Sequence, residues 1–550
     1  MNKALIIHPK DNLGVALVDL KANEIVEING TSVLLKEDVK AKHKFTLIDL
    51  AKGEEVYMYG VVVGSTINAL LKGQVLTIFN TTHKSTDYNS EIKGNFQWLA
   101  PDISRFKNRS FMGYHRSDGQ VGTGNYWLVF PLVFCENRNI ETIKAAFEKG
   151  LGPERLDPYA SLVRELVRKH NNNELDFDNL NFEIDELVES VNKPKIFKNI
   201  DGIRFLTHQG GCGGIRQDSE TLCRLFAGYV NNPNVAGATV LSLGCQNAET
   251  KILEEALNEI NPNLDKPVLI YDQQQIGKEV DLISNAITGT FKALIDANKI
   301  SRKPAPLSKL TIGLECGGSD GFSGISANPA VGYLSDLVVA LGGKVILSEF
   351  PELCGVEQEL INRTLKQVDA DKFESIMSAY ERMATAVGSG FDMNPSPGNI
   401  KDGLITDAMK SAGAAKKGGT SPVTAVLDYT EYASEPGLNL LCTPGNDVES
   451  TTGLAGSGAN AILFTTGLGT PTGNPVSPVI KIASNTTLAE RMPDIIDVDT
   501  GPVIRGDKSI EEMGEEILEF LIEVSSGIKQ SKAMNLEQYD FIPWKRGISL

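Results

Sequence analysis

The stretch THQGGCGG places His208 and Cys212 four residues apart in a glycine-rich loop, directly after the apolar run IRFL. The arrangement recurs: ATVLSLGCQNAE runs from an apolar stretch into Gly244 and Cys245, and LTIGLECGGSDG runs into Cys316 and two glycines. A single cysteine at a strand end is ordinarily a small buried hydrophobe. Three in one context point to soft thiolate ligands for a metal ion or an iron–sulfur cluster, with His208 as a nitrogen donor beside them. The glycines let the backbone approach a ligand closely and take positive φ. Three later loops, MNPSPGN (393–399), TPGNDVESTTG (443–453) and TTGLGTPTGNP (465–475), are dense in Gly, Pro, Asn, Thr and Ser. Each alone reads as turn chemistry; together, their N–H groups, hydroxyls and amides suit a polyhydroxylated or carboxylated ligand. Near the N-terminus, IHPKDN carries His8, Asp11 and Asn12, and KHK carries His43 and Lys44.

Loops of this kind do chemistry only where strands bring them together. In open α/β sheets they converge at the carboxyl ends of parallel strands. The runs YWLVFPLVFC, GATVLSLGC, PVLIYDQQQ, LTIGLEC, KVILSEF and NAILFTTG are apolar almost throughout, as strands buried on both faces are. Amphipathic stretches over 215–231, 247–260 and 358–387 lie between them, which predicts an α/β fold with helix-covered parallel sheets. Residues 1–86 differ: short alternating apolar runs punctuated by Gly53, Gly60 and Gly64 predict a small closed β domain. Residues 87–110 read as a linker, 111–295 as a second domain of α/β type, and 296–550 as a C-terminal α/β domain. Residues 171–200, rich in Asn and acidic side chains, read as a solvated excursion within the second domain.

The bulk properties narrow the function classes. At 550 residues the chain exceeds a single core. Its 41% hydrophobic and 22% charged residues are those of an ordinary globular protein. A net charge of −17 opposes nonspecific binding to nucleic acid or anionic membrane, both of which need a basic surface. The N-terminal residues do not form a signal peptide, and no run reaches the roughly 18 apolar residues of a spanning helix. Seven scattered cysteines without a C-x-x-C pair suit a reducing cytoplasm. No G-x-G-x-x-G follows an early strand, which disfavours a nicotinamide enzyme.

The stretches GYHRSDGQVGTGN, THQGGCGG, AGYVNNPNVAGATVLSLGCQN, LECGGSDGFSGISANPAVG, ILSEFPE, NPSPGN, GLNLLCTPGNDVESTTGLAGSGA and FTTGLGTPTGNP, with IHPKDNLGVALVDL and HKFTLIDLAKGEEVYMYG ahead of them, resemble the altronate/galactarate dehydratase family over nearly the whole chain. The resemblance implies an N-terminal SAF-type β-clip domain followed by two α/β units with largely parallel sheets. It implies metal-dependent dehydration of a sugar acid to a 2-keto-3-deoxy acid, with D-altronate first among substrates and galactarate or another acid of the same family as the alternative. The implied cofactor is a divalent metal, Fe²⁺ ahead of Mn²⁺, with an iron–sulfur cluster behind both. Such chemistry takes the proton beside a carboxylate and expels the neighbouring hydroxyl, which calls for a Lewis acid, a base near neutral pKa and an acid. On the matching positions, His43, Lys44, His8 and Asp11 are the catalytic candidates. Arg116, Asn125, Ser319, Asp320, Asn394, Asn399, Asn446, Asp447, Thr466 and Thr470 are the substrate-binding candidates. His208, Cys212, Cys245 and Cys316 are the metal candidates. The partner implied is a small sugar acid, with no nucleic acid or membrane; homo-oligomerisation is left open. Four positions depart from the family pattern: Thr77 and Phe79 stand where two histidines are usual, and Gly124 and Leu468 where arginines are usual. Losing those contacts keeps a second class of function in view, a non-catalytic sugar-acid binder.

Overall fold

The near-continuous apolar runs form strands buried along their whole length, among them Tyr126–Pro131, Val235–Ser242, Thr311–Cys316 and Ala461–Thr466. The structure is a computed structural model that describes residues 2–91, 94, 96–151, 158–177 and 195–549. Of the excursion expected over 171–200, residues 178–194 lie outside the described residues.

Two parallel sheets organise the larger part of the chain. The first has four strands in the order Gly202–Phe205, Tyr126–Pro131, Val235–Ser242, Val268–Asp272. The second has seven, in the order Val423–Leu427, Gly437–Leu441, Lys344–Leu347, Thr311–Cys316, Ala461–Thr466, Val479–Ala483, Val498–Asp499. In this sheet the three strands that follow Thr311–Cys316 in the chain lie on one side of it and the last three on the other. Thr311–Cys316 is therefore the topological switch point, and the crevice at its carboxyl end is where such sheets bind ligands. A three-stranded antiparallel ribbon of Val121–Gly122, Ser110–His115 and Lys303–Pro306 links the beginning and the end of the second domain.

The N-terminal region is all β: Ala4–Leu5, Leu13–Ala16 and Lys44–Thr46 form one small sheet, Ile25–Ile28 and Thr31–Leu34 a hairpin, and Glu55–Met58, Val61–Thr66 and Thr81–Thr82 another sheet. Part of its core is an apolar cluster of its own around Val26, Val33, Val39 and Phe45, while Leu13, Val15, Val56, Met58 and Val63 join the large cluster that includes the seven-stranded sheet. The described residues of 87–110 run along the C-terminal helices: the Ser90 N–H donates to Glu374 (2.8 Å), and Arg109 forks onto Glu519 (2.7 and 2.6 Å).

The amphipathic stretches expected over 215–231 and 247–260 form the helices Arg216–Asn231 and Thr250–Ile260. The stretch over 358–387 is not one helix. It splits into Glu357–Arg363 and Gln367–Ala386, because Thr364 makes a parallel bridge to Val423 and the Leu365 N–H donates to Val423 O (3.0 Å). A tertiary strand contact thus overrides a continuous helical pattern. Among the described residues no helix is long and apolar enough to cross a membrane.

Candidate active site at the sheet switch point

Cys316 ends the switch-point strand, and the next strand, Lys344–Leu347, runs into Glu349 and Glu352. The Cys316 Sγ lies 3.1 Å from Glu352 Oε2 and 3.6 Å from Glu349 Oε2, and all three side chains are buried. Among the described residues they are the one group of three His, Cys, Asp or Glu side chains whose donor atoms lie within 4.8 Å of one another. Glu349 has φ 67°, a left-handed conformation that costs a non-glycine residue energy. Its N–H is held by Thr443 Oγ1 at 2.9 Å.

Two lysines offset this acidity. Lys410 Nζ lies 2.5 Å from Glu352 Oε1 and 2.6 Å from Asn394 Oδ1; Lys417 Nζ lies 3.1 Å from Glu349 Oε2. Burial pushes the Glu352 carboxyl up, but Lys410 and then Lys417 bring it below the usual range. Burial, then the charge of Glu352, holds Glu349 above it, and burial raises the Cys316 thiol strongly. Below them, Ser450 and Ser348 donate to Glu315 Oε2 at 2.6 and 3.2 Å, and the Glu315 carboxyl, held well above its usual pKa by burial and then by Glu349, hydrogen-bonds to Glu349. At the rim, Asp447 begins the helix Asp447–Gly456, so close to Gly317 that an added Cβ there would sit 2.1 Å from Asp447 Oδ2. Burial, then the charges of Glu349 and Glu352, push the Asp447 carboxyl up to about 7.

The donor set fits a divalent transition metal. One buried thiol and two buried carboxylates converge, and acidic groups outnumber the two lysines. Mixed sulfur and oxygen donors suit iron(II), manganese(II) or zinc(II).

The N-terminal β domain closes against the same edge. Lys42 Nζ bridges Asp320 and Asp402, at 3.0 Å from each. His43 Nε2 meets Lys401 O at 3.1 Å, and Lys44 Nζ donates to Gly403 O at 2.6 Å. Burial lowers the His43 imidazole below its usual value and brings Lys44 down to about 7.

The remaining sequence candidates divide between this edge and other places. Ser319, Asp320, Asn394, Asn446 and Thr470 lie on loops at the carboxyl edge of the seven-stranded sheet, Thr466 ends a strand there, and Asn399 and Asp447 lie in the helices Pro397–Lys401 and Asp447–Gly456 beside it. Within that group, Asp320 is saturated by Ser323, Ser484, Asn485 and Lys42, and Asn399 holds Ser319 O at 2.7 Å, so both shape the loops. Asp11 accepts N–H groups from His8, Tyr59 and Gly60 (2.9, 3.1 and 2.8 Å), and the His8 ring packs on Gly60: this pair braces a turn. Arg116 and Asn125 lie at the amino edge of the four-stranded sheet, opposite the edge where sites form. There Arg116 bonds Pro233 O (2.7 Å) and Asn125 Oδ1 (3.0 Å). The metal candidates are not gathered: Cys316 lies in the seven-stranded sheet, whereas His208, Cys212 and Cys245 follow strands of the four-stranded one. Both His208 ring nitrogens are taken by backbone, Nε2 by Pro131 O (2.8 Å) and Nδ1 by the Gly210 N–H (3.0 Å).

Among the departures, Phe79 is exposed, and Asn80 braces its own turn through the Thr77 N–H and Val75 O (both 2.8 Å). At Gly124 an added Cβ would stand 2.4 Å from the Tyr126 ring. Leu468 O accepts from Arg491 at 3.3 Å, so a guanidinium still reaches this loop. Glu349, Glu352, Lys410 and Lys417 were absent from the sequence candidates. For the two glutamates a signal exists, since KVILSEFPE repeats the order of apolar strand then reactive side chain.

Comparison with known proteins agrees with this architecture. Residues 2–84 match the altronate/galactarate dehydratase SAF domain, residues 113–298 the D-galactarate dehydratase/altronate hydrolase second domain, and residues 307–549 the D-galactarate/altronate dehydratase C-terminal domain. The chain is 32% identical over 545 residues to altronate dehydratase of Escherichia coli (strain K12), covering 99% of each chain. It is 31% identical over 554 residues to altronate dehydratase of Bacillus subtilis (strain 168), covering all of both. To galactarate dehydratase (L-threo-forming) of Escherichia coli (strain K12) it is 27% identical over 533 residues, covering 96% of this chain and 93% of the other.

Proposed function

Because the chain belongs to the altronate/galactarate dehydratase family and is a hydro-lyase, we propose that it dehydrates a sugar acid to a 2-keto-3-deoxy acid, with D-altronate as the first substrate to test and galactarate as the second. The observation that carries this reading is the buried Cys316–Glu349–Glu352 group at the switch point, flanked by Lys410, Lys417 and Asp447. Cys316, Glu349 and Glu352 would hold a divalent metal, iron(II) before manganese(II), which supplies Lewis acidity toward the substrate oxygens.

The protein's own groups do the rest. Asp447, whose carboxyl burial holds above its usual value, is suited to removing the weakly acidic proton beside the carboxylate. Lys410, held between Glu352 and Asn394, presents an ammonium where negative charge develops. His43 donates its Nε2–H to Lys401 O and, with its pKa lowered by burial, braces the small domain as a neutral ring; the departing hydroxyl leaves as water with the proton that Asp447 has taken up. Lys42 and Lys44 hold the small domain over the crevice, which keeps water out. The test is anaerobic incubation with Fe²⁺ or Mn²⁺ and D-altronate, galactarate and related aldonates, with keto-acid product quantified. Product from one of these acids is expected; none from any of them would overturn the reading.

A further inference from the structure

The carboxyl edge of the four-stranded sheet carries reactive groups that the switch-point site leaves unused. Of the seven cysteines, all free, Cys135, Cys212 and Cys245 are the three that are exposed. They follow three neighbouring parallel strands: Cys212 follows Gly202–Phe205, Cys135 the central Tyr126–Pro131, and Cys245 Val235–Ser242. Pro131 is in register with Leu241, and Cys135 and Cys245 each lie four residues beyond that pair. With strands about 4.8 Å apart, three adjacent strand ends span roughly 10 Å.

The three loops are tied together beside each cysteine. The Phe134 N–H donates to Gly210 O and the Ala248 N–H to Gly211 O, both at 3.1 Å. Gly211 has φ +93° and presses on the central strand's exit so closely that an added Cβ would stand 2.0 Å from Leu132 O. His208 fastens the same two loops through Pro131 O and the Gly210 N–H. Thus the glycine-rich loop is shaped by close packing, and its histidine sets position while Cys212 is left facing solvent.

The spacing argues for a cluster over a single ion. Two ligands on one ion at about 2.3 Å cannot be more than about 4.6 Å apart. Among the described residues, no group of three donors at this edge gathers even within 4.8 Å. An iron–sulfur cluster takes each thiolate on a different iron and so accepts a wider triangle. We propose that Cys135, Cys212 and Cys245 bind an iron–sulfur cluster of the four-iron type, leaving one iron without a protein ligand and open to solvent or to an oxygen ligand.

The test uses the full chain, purified anaerobically and reconstituted with ferric iron, excess thiol as reductant and sulfide. It reads iron and acid-labile sulfide per chain, the visible absorption and the electron paramagnetic resonance of the reduced protein. About four sulfides per chain are expected in the wild type. Cys135→Ser, Cys212→Ser and Cys245→Ser should each lower sulfide at least tenfold with unchanged circular dichroism, and Cys316→Ser should retain it. Iron bound without labile sulfide, no iron at all, or full sulfide in Cys135→Ser would overturn the proposal. The wild-type sulfide content decides it even if a variant fails to fold. Because this readout needs no turnover, a chain that holds the cluster without dehydrating any sugar acid would sink the proposed function and leave the cluster standing.

Discussion

Lys417→Met removes the cation of a buried ion pair while keeping most of its apolar volume. Lys417 Nζ lies 3.1 Å from Glu349 Oε2, with side chains only 2% and 1% exposed. Burial opposes its charge, but Cys316, Glu349 and Glu352 hold its pKa above the usual value. Without it, Glu349, Glu352 and Cys316 share Lys410 alone. Removing one partner of a buried pair costs about 3–5 kcal/mol, because the other charge is left uncompensated. A divalent cation bound by those groups replaces the missing charge, and at a hundredfold excess over its Kd contributes about 2.7 kcal/mol. The two magnitudes are comparable, so metal should restore most of the loss. The assay is denaturant unfolding of wild type, Lys417→Met and the Lys417→Met/Glu349→Gln double variant, with and without Mn²⁺. Lys417→Met should be the least stable and gain the most from Mn²⁺. The double variant, relieved of both charges, should recover stability and lose the response. Stability of Lys417→Met within about 0.5 kcal/mol of wild type, or an undiminished Mn²⁺ response in the double variant, would refute the reasoning.

Three other perturbations probe separate parts of the account. A base must be ionised, and burial holds the Asp447 carboxyl above its usual value, so kcat/KM should rise with pH along a limb that belongs to Asp447 and level off above it; Asp447→Asn should abolish this limb and lower kcat by about 10²–10⁴, and an unchanged profile would remove Asp447 from the role. Gly211→Ala places a Cβ against Leu132 O at a positive φ, which should cost about 1–3 kcal/mol and reduce labile sulfide along with it; a variant with wild-type unfolding and sulfide would contradict the packing argument. Lys42→Met leaves Asp320 buried without its cation, a loss of about 3 kcal/mol, and should loosen the N-terminal domain; limited proteolysis within residues 85–110 should accelerate, and an unchanged cleavage rate would show that the bridge does not secure the domain.

The parallel α/β sheets and the separate β domain were legible because continuous apolar runs and alternating ones differ in plain sequence. The helical break at Thr364 was not, because its cause is a strand 59 residues away. At the site, Cys316 was legible from its strand–glycine context, as were Asn394 and Asp447 from theirs. Glu349 and Glu352 were concealed by ordinary composition: acidic residues after a strand are common, and only burial beside a thiol distinguishes these two. Lys410 and Lys417 follow no local pattern at all. His208 stood out as a histidine among glycines, yet its partners are backbone groups that spacing cannot reveal. Arg116 and Asn125 precede their apolar run, so their place at the amino edge could have been read from chain direction alone.

The most direct test of the switch-point site is the rate of keto-acid formation by Glu349→Gln against wild type, both loaded with Fe²⁺ under anaerobic conditions and given the acid that the wild type turns over best. Glu349 contributes one of the three converging donors. The account predicts a fall in kcat of at least about 100-fold, in line with the loss of a group that shapes the electrostatics at the reacting atoms, and loss of tightly bound non-sulfide metal in a folded protein. Activity within a few-fold of wild type, with that metal retained, would contradict it.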